Sequence, residues 1–278
     1  MNTGIACGLL AAVLFGASTP FAKILMGNIA PVMLAGLLYL GSGVGLLAWF
    51  GARAAVQARQ PSTGSRLTRR DWPWLSGAIL SGGVAGPILL MSGLSRTPAA
   101  TASLLLNLEG VLTALMAWFV FGENFDRRIV LGMALILGAG VLLSLGDGSE
   151  FALPWGAFAI AAACVCWAID NNLTRKLSAG DAVQIAGIKG LIAGGVNLAI
   201  AGALGFALPA AGSALAALVL GVFGYGFSLV LFVVALRHLG AARTGAYFSL
   251  APFVGAAISL LLFDDPAGIL FWSAAVLM

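Results

Sequence analysis

The sequence predicts an all-α membrane protein of ten transmembrane helices, arranged as two inverted five-helix repeats around a central cavity. Three observations predict it: the composition, ten apolar windows of spanning length, and a weak internal repetition. Of the 278 residues, 61% are apolar and only 9% are charged, with a mean hydropathy of +1.05. A soluble domain carries about a quarter charged residues, so this chain cannot cover a water-facing surface of ordinary polarity. The same numbers exclude a disordered chain, and three cysteines with no Gly-X-Y period exclude a disulfide scaffold and collagen. The net charge of +4 argues for orientation in a membrane and not for nucleic acid.

A helix needs about 20 apolar residues to cross roughly 30 Å of hydrocarbon. In chain order, the first window, 4 to 26, carries the small-residue series Gly8, Ala12, Gly16 and closes on Lys23. The second, 31 to 52, contains Gly41-x-x-x-Gly45; such spacings let helices touch. The third, 72 to 94, holds Gly82, Gly83, Gly86 and Pro87, and the fourth, 99 to 121, holds Asn107 and Glu109. The fifth runs from 129 to 146. The sixth, 154 to 174, carries Cys164-x-Cys166, Trp167, Asp170 and Asn171; the seventh, 182 to 204, carries Lys189 and Gly190-x-x-x-Gly194. Gly221, Gly224, Gly226 and Ser228 lie in the eighth, 212 to 236, and Ser249 and Pro252 in the ninth, 244 to 263. The tenth begins at 267 with twelve residues left, so the expectation is a helix that ends short or continues beyond this sequence. None of these runs alternates in and out as an outer-membrane strand does.

The positive-inside rule orients the bundle. With the N-terminus in the cytoplasm, Arg53, Arg59, Arg66, Arg69, Arg70, Arg127, Arg128, Arg175, Lys176, Arg237 and Arg243 fall inside, and only Lys23 and Arg96 fall outside. Asp147, Glu150, Asp264 and Asp265 then occupy outer loops. Residues 1 to 20 lack a basic n-region, and Cys7 has no convincing lipobox before it. The first helix serves as its own targeting signal. The expected location is a bacterial inner (cytoplasmic) membrane, multi-pass.

Internal repetition divides the chain at residues 1–150 and 151–278. An offset of 152 residues sets Phe15-Gly16-Ala17-Ser18-Thr19-Pro20-Phe21-Ala22-Lys23 over Trp167-Ala168-Ile169-Asp170-Asn171-Asn172-Leu173-Thr174-Arg175. An offset of 142 pairs Leu94 with Leu236, Ala99 with Ala241, Ala100 with Ala242, Leu108 with Leu250, Ala114 with Ala256, Phe121 with Phe263 and Glu123 with Asp265. The offset changes because the basic loop at 53 to 71 has no counterpart of equal length. Five spans per half is an odd number, so the second half enters from the opposite face. Inverted halves of this kind can expose one central site to each side in turn.

The same segments carry a family likeness. Phe-Gly-Ala-Ser-Thr-Pro-Phe-Ala-Lys at 15 to 23, and Thr97-Pro98-Ala99-Ala100 through Leu108-Glu109-Gly110-Val111 to Phe121-Gly122-Glu123, resemble the drug/metabolite transporter superfamily, EamA type. Leu-Glu-Gly-Val departs from the family's usual Leu-x-Pro-Val, while Pro252 keeps the proline in the second half. The resemblance implies a ten-helix exporter with a central cavity walled by both halves and peripheral fifth and tenth helices. Within the superfamily the general likeness is to bacterial aromatic amino acid exporters.

Backbone weak points come in corresponding places. Gly82 lies opposite Gly224 in the repeat, and Pro20, Gly83, Pro87 and Pro252 are further positions where a span can hinge. Proline removes an amide donor, and glycine costs about 1 kcal/mol against alanine in a helix interior. Close packing of small residues is the competing reading of each glycine. Ionisable groups inside a membrane are expensive and therefore candidates for function. Glu109, near the midplane, fits a proton carrier, a counter-charge for a substrate amine, the partner of a buried cation, or a structural carboxylate. Asp170 and Lys189 are expected to pair as part of an inner gate, with snorkelling to headgroups as the alternative.

Aromatic residues divide by depth. Trp49, Trp72, Trp74 and Trp155 suit interfacial anchoring, whereas Phe15, Trp167, Tyr225, Tyr247 and Phe248 lie deeper, as a stacking wall or as core. The candidate substrate-binding set is Phe15, Ser18, Thr19, Gly86, Asn107, Glu109, Trp167, Asn171, Ser228 and Ser249. His238, the only histidine, sits in an expected cytoplasmic turn, and Cys164 and Cys166 point to different faces of a helix, so no metal site and no cofactor are expected. Nucleotide-binding and hydrolase motifs are absent from the sequence, so the expected class is a transporter, not an enzyme. Its expected partners are a small organic solute and the lipid bilayer, with no nucleic acid. Export of amino acids with aromatic or other apolar side chains by alternating access is the leading expectation, and proton-coupled export of hydrophobic cations or drugs, with Glu109 as coupling group, is the alternative.

Overall fold

In hydrocarbon every backbone N–H and C=O must be satisfied within the protein, which leaves helices as the form for solidly apolar runs. The computed structural model describes residues 3–56, 68–121, 127–145, 155–177, 181–239, 244, 247–263 and 267–278, and contains no strand among them. Arg59, Arg66, Glu123, Asp147, Glu150, Ala241, Ala242, Arg243, Asp264 and Asp265, used above for orientation and repeat, lie outside the described residues.

The first half runs α1 (Thr3–Leu25), α2 (Pro31–Val56), α3 (Trp72–Ala78), a π-helical segment (Ile79–Ala85), α4 (Gly86–Leu94), α5 (Ala99–Leu105), α6 (Leu108–Phe121) and α7 (Arg127–Leu145). The second runs α8 (Trp155–Arg175), α9 (Ala182–Ala203), α10 (Ala211–Leu220), a second π-helical segment (Gly221–Phe227), α11 (Ser228–Leu239), α12 (Ala251–Leu262) and α13 (Ile269–Leu277). Among the described residues, seven stretches are long and apolar enough to cross a bilayer, including Trp72–Leu94 and Ala211–Phe232, which run through their π segments. Val130–Leu143 and Ala251–Leu262 are shorter, and α13 has nine residues. The ten expected windows therefore all contain helix, and among the described residues full spanning length is reached in seven of them. The ninth window falls short because a turn at Ser249 and Leu250 precedes the helix that Pro252 opens.

The two π segments occupy equivalent places. The offset of 142 residues carries Ile79 onto Gly221 and Ala85 onto Phe227, the bounds of both segments. Helix four also breaks without a proline: α5 stops at Leu105 and α6 starts at Leu108, so the departure at Glu109-Gly110 does not remove the interruption.

Packing follows the exchange of halves. α1 packs on α11, α12 and the second π segment, and its counterpart α8 packs on α4, α6 and the first π segment. α2 packs on the second π segment and α9 on the first, and α2 and α9 form the most extensive helix pair. Each half is thus threaded into the other, and the main contacts recur when the halves are exchanged. α7 and α13, the fifth and tenth helices, pack mainly on each other at the flank.

Small residues make the central contact possible. A Cβ on Gly190 would lie 2.7 Å from the backbone nitrogen of Gly43, and one on Gly36 would lie 2.8 Å from the Leu198 side chain. Close packing is thus what Gly190-x-x-x-Gly194 does here: Gly194 abuts Leu40. Trp49, Trp72, Trp74 and Trp155 are all exposed, as anchors must be. Gly190→Val forces α2 and α9 apart. It is expected to destabilise the fold by about 1–3 kcal/mol, read as a lower melting temperature in detergent, whereas Gly195→Ala, inside α9 with open space at its Cβ, is expected to stabilise it by up to about 1 kcal/mol and raise melting.

Candidate functional site

Pro87 has no N–H to offer the carbonyls four and five residues before it, which belong to Gly83 and Gly82. In the π register the Gly86 N–H bonds the Ser81 carbonyl instead. Side chains from other helices supply the donors. Tyr39 Oη on α2 donates to the Gly82 carbonyl at 2.8 Å, and Trp167 Nε1 on α8 donates to the same oxygen at 2.9 Å. Asn197 Nδ2 on α9 donates to the Gly83 carbonyl at 3.0 Å. Carbonyls that would be costly to leave bare in lipid are supplied by three neighbouring helices.

Glycine at 82 is also a matter of space. A Cβ there would overlap the carboxylate of Asp170. At the equivalent place, a Cβ on Gly224 would lie 2.7 Å from the Cβ of Ser18, and the 152-residue offset carries Ser18 onto Asp170. The same contact is therefore made twice, once by each half. Asp170 is buried; Lys189 bonds one of its oxygens in an ion pair and Thr174 Oγ1 donates to the other at 3.0 Å. The pair lies beside Gly82, about halfway along Trp72–Leu94, and so sits deep in the bundle.

Successive side chains on a helix point about 100° apart, so Asn171 turns away from Lys189 toward α6. Its Nδ2 donates to Glu109 Oε1 at 2.9 Å and to Thr113 Oγ1 at 3.2 Å, and Asn172 Nδ2 donates to the Thr113 carbonyl at 3.2 Å. Glu109 and Thr113 are half-buried and Asn171 is exposed. Glu109 nevertheless stands within electrostatic range of Asp170, Lys189, Tyr39 and Tyr225. A half-buried carboxylate with charged and aromatic neighbours from both halves is thus tied to α8 through the Asn171 amide.

Aromatic rings from both halves stand one helical turn away, since Trp167 and Asn171 are four residues apart. Phe15 on α1 contacts its repeat equivalent Trp167 edge-on at 6.5 Å between centroids, Tyr225 at 5.9 Å and Phe248 at 5.5 Å. Tyr39 meets Tyr225 at 5.5 Å.

The structure brings Phe15, Gly86, Trp167, Glu109 and Asn171 to one region, while the remaining candidates make contacts of their own. Ser18 bonds the Phe15 carbonyl of its own helix, and Thr19 is buried. Gly86 packs on the Trp167 indole, with an added Cβ 3.0 Å from Nε1. Asn107 donates to the Leu104 carbonyl and to Met278 Sδ. Ser228 is buried and ties α11 to the Ala11 carbonyl of α1, and Ser249 is exposed in the turn before α12. Among the hinge candidates, Gly82, Gly83 and Gly224 fall in π segments, Pro20 is inside an unbroken α1, and Pro87 and Pro252 stand in the first turns of α4 and α12. The sequence reading missed Tyr39 and Asn197. Each is a polar group in an apolar span, which is itself the signal that finds it. No group of three or more histidine, cysteine or acidic side chains able to hold a metal occurs among the described residues.

The profile of the EamA-like transporter family matches residues 2–145 and 154–278. An uncharacterized transporter of Methanothermobacter thermautotrophicus is 30% identical over 97% of this chain and 82% of its own length. A probable 4-amino-4-deoxy-L-arabinose-phosphoundecaprenol flippase subunit ArnE of Pseudomonas fluorescens is 36% identical over 39% of this chain and 94% of its own. A probable amino-acid metabolite efflux pump of Salmonella typhimurium is 26% identical over 61% of this chain and 52% of its own. A crystal structure of a protein at 22% identity superposes with a TM-score of 0.69 over 98% of this chain and 92% of that one, which establishes likeness of fold.

Tyr39→Phe and Trp167→Phe each leave the Gly82 carbonyl one donor, and each is expected to cost about 0.5–1.5 kcal/mol. Together they strip it, so the double variant should lose more than the sum of the singles in thermal unfolding. Strict additivity would mean that the carbonyl finds another partner.

Proposed function

We propose that this chain, which belongs to the EamA-like transporter family and is a multi-pass membrane protein, exports small organic metabolites by alternating access. The solutes are amino acids with aromatic or other apolar side chains. The observation that supports this reading is a half-buried carboxylate and an exposed amide, Glu109 and Asn171, one helical turn from an aromatic cluster drawn from both halves. An apolar wall with a few placed polar groups suits a small amphipathic solute. One relative is named for a 4-amino sugar derivative and another for amino-acid metabolites, and Glu109 is a carboxylate that could meet an amine.

In this reading residues 1–150 and 151–278 are the two repeats, the N-terminus is cytoplasmic, and the membrane is a bacterial inner membrane. Phe15, Trp167, Glu109 and Asn171 hold the solute. Ser18, Gly86, Asn107 and Ser228 set contacts around them, with Thr19 buried in α1 and Ser249 in the turn before α12 as further polar groups of the set. Gly82, Gly83 and Gly224 flex with Pro20, Pro87 and Pro252, because π segments keep their hydrogen bonds while changing register. Asp170 and Lys189 act at the inner gate: the pair joins α8 to α9 beside Gly82 and must slip if those helices move.

A second reading draws on Glu109 itself. An accessible carboxylate at membrane depth is the group that a proton-coupled exporter of hydrophobic cations needs. Proteoliposome flux separates the two. Labelled phenylalanine is expected to equilibrate without a pH gradient and to show counterflow, with Glu109→Gln lowering the rate at least about tenfold by removing a charged contact. Phenylalanine flux no greater than in empty vesicles, together with ΔpH-driven accumulation of a hydrophobic cation that Glu109→Gln abolishes, would overturn the first reading in favour of the second.

A further inference from the structure

The last carbonyls of a helix have no intrahelical donors and carry partial negative charge, so a cation is a favourable cap. Lys23, near the end of α1, does this for another helix. Its ammonium donates to the Leu94 carbonyl at 2.5 Å, in the last turn of α4, and to the Thr97 carbonyl at 2.8 Å in the turn beyond. α1 packs with α11 and α12, whereas α4 packs with α8, and α1 and α4 have no extensive contact of their own. Lys23 therefore crosses the boundary between the two groups of helices that alternating access must separate. The boundary is shut nearby, where α5 packs on α1 and α12 and a Cβ on Gly255 would lie 2.7 Å from Ser103 Oγ.

Exchange of the halves maps this arrangement onto a second place. The 152-residue offset carries Lys23 onto Arg175, the last residue of α8. The 142-residue offset carries Leu94 onto Leu236 and Thr97 onto Leu239, in the last turn of α11. α8 and α11 belong to opposite groups just as α1 and α4 do. We infer that Lys23 and Arg175 are paired latches, one for each end of the protein. Each fastens its own group of helices to the C-terminal carbonyls of the other, and transport requires one to release while the other holds. Neither residue touches the solute; both set which end is open. The inference rests on the alternating-access reading but not on the identity of the solute.

Hydrogen exchange on the full chain in nanodiscs reads both ends at once, through peptides covering 92–102 and 234–246, with no substrate needed. Lys23→Met should speed exchange in 92–102 about tenfold, the loss of charge-assisted hydrogen bonds, and slow it in 234–246. Arg175→Met should do the reverse, and the double variant should restore the wild-type ratio. Where a methionine variant does not fold, Lys23→Arg and Arg175→Lys read the same balance. The guanidinium adds donors at the first site, and the ammonium loses them at the second, so both should slow exchange in 92–102 relative to 234–246. Single variants that move both peptides in the same direction, or an Arg175 series that moves neither, would overturn the latch pair. Such an outcome alongside normal counterflow of phenylalanine would leave the proposed function standing.

Discussion

A carbonyl that leaves the helical ladder at membrane depth has no water to turn to, and the Gly82 carbonyl is where this chain meets that condition. Pro87 withholds the amide, the π register redirects the next one, and Tyr39 and Trp167 step in from α2 and α8. Asn197 does the same for Gly83 from α9. Three helices are thereby pinned to one π segment. Asp170 is seated on the bare face of Gly82, and its neighbour Asn171 is turned toward Glu109. The position of the polar site thus descends from a proline and two glycines in another helix.

The second organising feature is that contacts recur under exchange of halves. Gly82 against Asp170 repeats as Gly224 against Ser18, and Phe15 meets its own counterpart Trp167. α4, α6 and α8 form one group and α1, α11 and α12 another, with α2 and α9 between them. Each group mixes elements from both repeats, so a movement of one against the other shears across the whole chain. Interiors packed this closely have discrete arrangements, not a continuum. Two arrangements related by the pseudo-twofold axis have nearly the same contacts and hence similar energies, which is what an alternating device requires.

Much of this was legible in the sequence because it rests on local chemistry. Ten apolar windows mark where helices lie, and the glycine-proline cluster of the third and the glycines of the eighth, read as hinges, fall in the two π segments, whose bounds differ by 142 residues. Trp167 and Asn171 at i, i+4 were visible as a shared face. What the sequence did not reveal depends on which helix lies beside which. Tyr39, Asn197 and Lys23 act on backbone carbonyls 43, 114 and 71 residues away, and no periodicity encodes an acceptor that every residue possesses. Ser228 looked like a binding group for the same reason: its partner, the Ala11 carbonyl, is identified only when α11 meets α1. The interruption at Leu106 and Asn107 was similarly hidden, since it forms without the proline that signals it elsewhere.

The central claim is that the two groups of helices open opposite ends of one protein in alternation. Repeat-equivalent positions provide the ruler: Ile24 and Arg96 at one end map onto Lys176 and His238 at the other, and all four are exposed. Pulsed electron–electron resonance on spin labels at each pair, in nanodiscs, measures both gaps. Two populations at each pair are expected, with added solute shifting the Ile24–Arg96 and Lys176–His238 distances in opposite senses. A single fixed distance at both pairs, or two gaps that widen together, would contradict the account.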